Sequence, residues 1–283
     1  MLNGCAYILT IDVGNTFIRF GLFAEDSAAA QERPLATCEI TTPSSITADE
    51  ARMRLVQVMG ALAADAGVPG VLVPAAAVLS CVVPALERPW KAALSRTCTG
   101  RVLTVGPGLK TGMPVHYDDP AEIGPDRIAD AVAARAVYGS PCIVIDLGTT
   151  TNIEVIDAHG TFVGGVIAPG LALGARSLSA AAARLPQVEP SAPTHVIGRN
   201  TREAMRSGVV LGEVARIDGM LDMVLAEMRA TKAAGEGSVP IVITGDDAEA
   251  LAALVGHSLT VDDALTLRGL AELYRINQKL RRA

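Results

Sequence analysis

Apolar runs of strand length and stretches of helical periodicity alternate along this chain in two successive blocks. In the first, Tyr7, Ile8, Leu9 and Ile11 lead into Asp12; Gly14, Asn15 and Thr16 form a tight turn; Phe17, Ile18 and Phe20 resume the apolar run. The pattern predicts strands over 6–12, 16–24 and 35–41, with 26–34 as an exposed link. Thr47 and Glu50 have capping-box spacing, so a helix is expected over 47–66, ended by Gly67. The unbroken apolar run 75–83 reads as a buried strand. A helix over 84–95 and a strand over 101–105 follow. The order β-β-β-α-β-α-β predicts a mixed sheet with helices on its faces.

The second block repeats the first. Residues 106–120 are rich in Gly and Pro and lack a helical period, which makes them the boundary between a domain at 1–118 and another at 119–283. Beyond it, 128–138 is an Ala-rich helix and 141–147, 151–157 and 161–168 are strands. Helix is expected over 171–184, loop over 186–198, and a long helical stretch over 201–229, broken near Gly208 or Gly212. A turn at 235–240, a strand at 241–244, a helix from Ala248 and a terminal helix over 265–280 complete the chain. Asp146, in Ile-Val-Ile-Asp-Leu-Gly-Thr-Thr-Thr, lies 134 positions after Asp12 in a run of the same design. The duplication predicts two related α/β domains facing one cleft.

Composition narrows the picture. Half of the 283 residues are hydrophobic, so a sizeable core is available, but aromatics are only 3% and Ala, Val and Leu must fill it. The net charge of −6 argues against a nucleic-acid binder that relies on a broad basic surface. The five cysteines show no metal-type spacing, and Cys38, Cys81 and Cys142 read as small buried hydrophobes in strands. No signal-peptide pattern and no uninterrupted membrane-length run occurs, so a cytoplasmic protein without a membrane partner is expected.

Four stretches carry candidate chemistry. Small residues at the Gly14–Thr16 turn let backbone N–H groups approach an anion, whereas Asp12 there needs a metal ion or water as its partner. An ordinary hairpin turn is the alternative for one copy; the second copy favours a nucleotide site. Gly124-Pro125-Asp126-Arg127 opens a helix, where the N-terminus favours an anion and Arg127 either offers a planar fork to a ligand or pairs with Glu122. Asp126 fits either a base or an N-cap. Gly164-Gly165-Val166-Ile167-Ala168-Pro169-Gly170 admits a close backbone or ligand approach, or is a bulge. Val242-Ile243-Thr244-Gly245-Asp246 suits packing against a nucleoside, or is a structural turn. The four histidines are dispersed, and neither a nucleophile elbow nor a P-loop is present.

Taken in order, these stretches resemble the type III pantothenate kinases, within the superfamily of acetate kinases, sugar kinases, heat-shock chaperone ATPases and actin. The resemblance covers nearly the whole chain. It rests on Asp12-Val13-Gly14-Asn15-Thr16, Ser80-Cys81-Val82-Val83-Pro84, the loop 105–119, Gly124-x-Asp126-Arg127 and Asp146-x-Gly148-Thr149. Gly164-Gly165-x-Ile167-x-Pro169-Gly170, Ile197-Gly198-x-Asn200-Thr201 and Leu265-Thr266-Leu267-x-Gly269-Leu270 complete it. It implies two ribonuclease H-like domains and ATP-dependent phosphorylation of pantothenate, the first step toward coenzyme A. By the same likeness Asp12, Val13, Gly14, Asn15, Thr16, Phe17, Ile18 and Arg19 hold the nucleotide phosphates, Asp12 through Mg²⁺, and Thr149 touches ATP. Asp126 is the general base; Tyr117, Gly124, Pro125, Asp126, Arg127 and Thr201 contact pantothenate; Asp146 binds a monovalent cation, K⁺ or NH₄⁺. A homodimer is implied.

The chain departs from the family pattern at four positions. Arg19 stands where Lys is common, keeping the charge but changing donor geometry. Asn152 and Glu154 stand where Thr and Asp are usual, and Asp246 replaces the second Gly of a Thr-Gly-Gly turn. Asp tolerates a left-handed backbone, so the fold is expected to survive; the carboxylate either bonds ribose hydroxyls or repels phosphate. These changes bear on ATP affinity and cation dependence more than on fold. Two other readings remain: a catalytically weakened homologue acting as a regulatory accessory protein, and a kinase for another small hydroxy acid or sugar.

Overall fold

A computed structural model describes residues 6–25 and 32–282. Cys5 and most of the expected link at 26–34 lie outside the described residues. The chain divides into two compact units, residues 1–137 with 264–283 and residues 138–263.

The first unit is built on a five-stranded sheet. Its strands are β1 (Tyr7–Val13), β2 (Phe17–Ala24), β3 (Ala36–Thr41), β4 (Ala76–Cys81) and β5 (Val102–Thr104), in the spatial order β3-β2-β1-β4-β5. β1 pairs antiparallel with β2 and parallel with β4. Helix α1 (Ala48–Asp65) starts at the expected capping box: Thr47 Oγ1 accepts from Glu50 N at 3.2 Å, and Glu50 Oε2 accepts from Thr47 N at 2.8 Å. Its residues Ala51, Leu55, Val58 and Leu62 repeat at helical spacing and are buried, as are Leu86, Trp90, Ala93 and Leu94 of α2 (Pro84–Thr97). Both stripes join Leu9, Ile11, Ile18, Phe20 and Leu22 in one core. Trp90 fills the space few aromatics are available to fill, edge-on to Phe20 with ring centroids 5.7 Å apart.

Helix α3 (Pro125–Tyr138) and the terminal helix α8 (Leu265–Arg282) complete this unit. Residues 119–137 and α8, which follow the loop at 106–120, therefore pack with the strands that precede it. Gly269 is the physical reason for the close crossing: a Cβ there would lie 1.9 Å from the Ala129 carbonyl oxygen, so only glycine admits the α3 backbone. α8 also lies across β1 and β4.

The second unit repeats the first sheet. β6 (Cys142–Leu147), β7 (Thr150–Ile156), β8 (Phe162–Pro169), β9 (Ile241–Gly245) and the short β10 (Thr260–Val261) take the order β10-β9-β6-β7-β8. β6 is antiparallel to β7 and parallel to β9, as β1 is to β2 and β4. Helix α4 (Leu171–Ala181) follows β8. The long helical stretch is α5 (Thr201–Arg206), a π-helical segment (Ser207–Leu211) and α6 (Gly212–Ala230), so the expected interruption falls between Gly208 and Gly212. Val210, Val214, Ile217, Leu221 and Leu225 pack on Ile143, Ile145, Ile153, Ile241 and Ile243. Helix α7 (Ala248–Ala252) is a single short piece. The two mixed sheets and their strand-helix order match the architecture expected from the sequence. No helix among the described residues is long and apolar enough to cross a membrane.

Candidate functional site

The first unit carries the Asp12 turn and the start of α3. β1 ends at Val13 and β2 begins at Phe17, leaving Gly14, Asn15 and Thr16 as the tip. Gly14 N donates to Phe17 O at 3.0 Å, and Thr42 Oγ1 donates to Gly14 O at 2.7 Å, which pins the turn from β3's end. Asn15 and Thr16 are exposed; Val13 and Ile18 are fully buried and belong to the core. Arg19 is engaged by Glu39 across β3, Nε to Oε2 at 3.0 Å, and its guanidinium carbon sits 5.9 Å from the Phe17 ring centroid. Its fork is thus partly turned along the sheet.

Asp12 is 8% exposed, and its Oδ1 has no hydrogen-bond partner. Burial pushes its carboxyl up to about 6, and the nearby Asp126 carboxylate adds to the rise; the Ser80 hydroxyl, on β4 at the register position facing Asp12, and the Arg19 charge pull it down. A buried carboxylate oxygen without a protein partner is a hard donor suited to a divalent cation, so Asp12 fits the expected Mg²⁺ role.

Asp126 occupies the first turn of α3. Its Oδ1 accepts from N of the next residue, Arg127, at 2.8 Å, and the cap position before the helix is held by Gly124, whose carbonyl accepts from Ile128 N at 3.1 Å. Asp126 is thus not the N-cap that the sequence offered as one alternative; its carboxyl is raised, chiefly by burial. Gly124 leaves room for that carboxyl: a Cβ there would fall 2.4 Å from Asp126 Oδ1. Arg127 is 5% exposed. Tyr117 is half-buried in the loop preceding α3, and Pro125 lines a cavity of about 340 Å³ with Val105, Leu109, Val115, Ile123 and Ile128. The first unit therefore brings together a buried carboxylate at a glycine turn, a second carboxylate at a helix start, a buried guanidinium and an apolar hollow.

Asp146, Thr149 and Thr201 belong to the second unit. Asp146 is half-buried on β6, opposite Asn152 on β7 and beside Thr244 on β9. Residues directly opposite on adjacent strands share a face, with Cβ atoms about 5 Å apart. Asn152 is 5% exposed and its Oδ1 lacks a hydrogen-bond partner. An orphaned amide oxygen facing a carboxylate suits a cation with hard oxygen ligands. Among the described residues, no three His, Cys, Asp or Glu side chains gather as a metal cluster, so backbone, hydroxyl or ligand oxygens would have to complete either cation site. Glu154 is fully buried opposite Gly165.

Thr149 is half-buried in the turn after β6, where Gly148 N donates to Thr150 O at 2.9 Å. Gly170 N donates to Thr149 O at 3.0 Å, and a Cβ on Gly170 would lie 2.2 Å from Gly148 O. The Gly-rich 164–170 stretch thus combines a close backbone approach at Gly170 with a register irregularity at its start, where Gly164 (φ 129°) opposes Val155 and Phe162 opposes Ile156. Gly245 likewise touches the turn: a Cβ there would meet Leu147 O at 2.1 Å and Asp146 Oδ1 at 2.7 Å. Asp246 N donates to Leu147 O at 2.6 Å. The left-handed backbone falls on Gly245 (φ 90°) and Asp247 (φ 57°), not on Asp246, so the departure at 246 places no strained conformation on that residue. Thr201 is the exposed first residue of α5, after the Asn200 cap.

Sequence reasoning missed a buried charge near Thr151. Glu213 of α6 is 5% exposed and accepts from Thr151 Oγ1 at 2.6 Å. The signal was present: Glu213 falls on the apolar stripe of Val210, Val214 and Ile217, where a carboxylate has no place without a partner.

The model of the type III pantothenate kinase family matches residues 8–223. The chain is 38% identical over 277 residues to the type III pantothenate kinase of Koribacter versatilis, covering 96% of each chain. It is 40% identical over 285 residues to that of Nocardia farcinica, covering 97% of this chain and 99% of that one. Among solved structures, a Baf family transcriptional activator from Campylobacter jejuni aligns at TM-score 0.57 with 18% identity, covering 96% and 99%. The ethanolamine utilization protein EutJ from Carboxydothermus hydrogenoformans aligns at 0.53 with 15% identity, covering 94% and 89%. At such identities the structures speak to the fold alone.

Proposed function

The chain belongs to the type III pantothenate kinase family, and on that premise we propose that it transfers the γ-phosphoryl group of ATP to the primary hydroxyl of pantothenate, the first step toward coenzyme A. One observation supports this most: Asp12 is buried at the glycine turn with an unpartnered oxygen, and beyond that burial the Asp126 carboxylate adds to the rise of its carboxyl. A base for the acceptor hydroxyl and a carboxylate for the cation-bound nucleotide thus share one electrostatic field, as phosphoryl transfer requires.

Asp126 takes the hydroxyl proton as the alkoxide oxygen bonds the γ-phosphorus. The bridging β–γ oxygen leaves with its electron pair on ADP, and Asp126 returns its proton to solvent. Burial raises Asp126 toward neutrality, which makes it the better base. The turn 12–19 takes the nucleotide phosphates, with Asp12 as the residue for Mg²⁺, which neutralises phosphate charge when bound. Arg127 offers its buried fork to the pantothenate carboxylate or to the transferring group. Tyr117, Gly124 and Pro125 shape the acceptor side, and the apolar cavity beside Pro125 suits a substrate with a branched aliphatic body. Thr149 serves ATP, Asp146 with Asn152 a monovalent cation, and Thr201 the acceptor. We assign the protein to the cytoplasm and to a homodimer.

The test is ADP release by purified protein with Mg-ATP and K⁺, with pantothenate, a sugar or another hydroxy acid as acceptor. Turnover with pantothenate alone, with phosphate recovered on its primary hydroxyl, is the expected outcome. Release with a sugar instead would reassign the acceptor. Pantothenate binding in calorimetry without turnover would favour the regulatory accessory reading.

A further inference from the structure

The turn at 148–151 is closed by a ring of contacts that runs through two side chains of α6. Thr151 Oγ1 donates to Glu213 Oε1 at 2.6 Å. Glu213 Oε2 accepts from Arg216 Nη2, and the same nitrogen donates to Pro169 O at 2.6 Å. Pro169 precedes Gly170, which returns to the turn through its N–H on Thr149 O. The path Thr151, Glu213, Arg216, Pro169, Gly170, Thr149 therefore clasps the turn from both ends. Burying a carboxylate on an apolar helix stripe is costly unless every partner is in place. Here Glu213 is 5% exposed, and its hydroxyl and guanidinium partners both lead to the turn. The helix arrives there through the π-helical segment Ser207–Leu211, an irregularity that recurs at functional sites.

We infer that Glu213 is a positioning residue for nucleotide binding: with Arg216 it fixes the Thr149–Thr151 turn in the geometry that receives ATP, without touching substrate itself. This rests on the reading of that turn as part of the nucleotide site. Shape alone does not require the charge, because Gln fits the same space. Glu213→Gln keeps an acceptor for Thr151 but sets an amide donor against the Arg216 donor. Thr151→Val removes one hydroxyl and keeps the shape.

Both variants are made in the full chain. KM for ATP, KM for pantothenate, kcat, calorimetric binding of Mg-ATP and thermal melting are measured beside wild type. A lost hydrogen bond at about 0.5–1.5 kcal/mol corresponds to roughly 2–12-fold in affinity. Expected are weaker Mg-ATP binding and higher KM for ATP, about tenfold in Glu213→Gln and about threefold in Thr151→Val, with KM for pantothenate within about twofold of wild type. Unchanged Mg-ATP affinity in both variants, with or without a lower melting temperature, overturns the inference and leaves a structural brace. If Glu213→Gln does not fold, Thr151→Val decides. Wild type that binds Mg-ATP but does not phosphorylate pantothenate defeats the proposed function only, since binding still tests the brace. Wild type that does not bind Mg-ATP defeats both.

Discussion

The two Asp-x-Gly turns share a fold but not a support. Each follows the central strand of a five-stranded sheet of the same order. The first turn is pinned by backbone and by the Thr42 hydroxyl, and its Asp12 is left buried with an unpartnered oxygen. The second is clasped by Glu213 and Arg216 and pressed by Gly170 and Gly245, while its Asp146 stays half-buried. A repeated backbone thus fixes where a turn stands, and the side chains around it decide whether a carboxylate is held under electrostatic stress. At Asp12 that stress comes from burial first and from the Asp126 carboxylate second.

The largest expected effect of breaking this contrast is at Asp12. Its folded pKa of about 6 lies above the ordinary 3.8. A raised carboxyl contributes stability that is full below about pH 3.8 and lost as pH rises through about 6. The difference of roughly 2 units, at about 1.4 kcal/mol each, is about 3 kcal/mol. Asp12→Asn should therefore raise the urea midpoint of the ligand-free protein at pH 8 and remove the part of the pH slope that falls between about 4 and 6, while abolishing Mg-ATP turnover. A variant with unchanged pH dependence would show that Asp12 is not strained. By the same linkage, Mg-ATP affinity of wild type should weaken as pH falls below about 6.

Next in size is a pair of glycines in the second turn. Gly170→Ala forces a Cβ to 2.2 Å from Gly148 O and should cost about 1–3 kcal/mol by chemical denaturation. Gly148→Ala meets only Thr150 O at 3.9 Å and should leave stability within about 0.5 kcal/mol. Loss of ATP affinity in that second variant would mark a ligand's approach rather than a packing defect. The smallest effect is Arg19→Lys. Its ion pair with Glu39 is partly exposed and worth under about 1 kcal/mol, so melting should barely move. Any change should appear in KM for ATP.

Much of the architecture was legible because its signals are local. Unbroken apolar runs, the Thr47–Glu50 box and the duplicated Asp-x-Gly located both sheets and α1 within a residue or two. The short β10 was not, since two residues carry no period. The close crossing of α8 on α3 depends on Gly269 meeting Ala129, a contact that only the folded backbone displays. At the site, Asp12, Asp126 and Arg127 were readable from residue type beside a turn or helix start. Glu213 was overlooked because it hides within an apolar helix face, and its meaning comes from Thr151, 62 positions away in sequence. The fold was expected to tolerate Asp246, and the positive φ falls on its neighbours Gly245 and Asp247.

The central claim is that Asp126 is the base of a pantothenate phosphoryl transfer. It is tested most directly by pantothenate-dependent ADP release in Asp126→Asn beside wild type, with pantothenate binding followed by calorimetry. Binding is expected to be retained and kcat to fall by about 10²–10⁴-fold, the usual contribution of a positioned base. Turnover in the variant within a few-fold of wild type would contradict it.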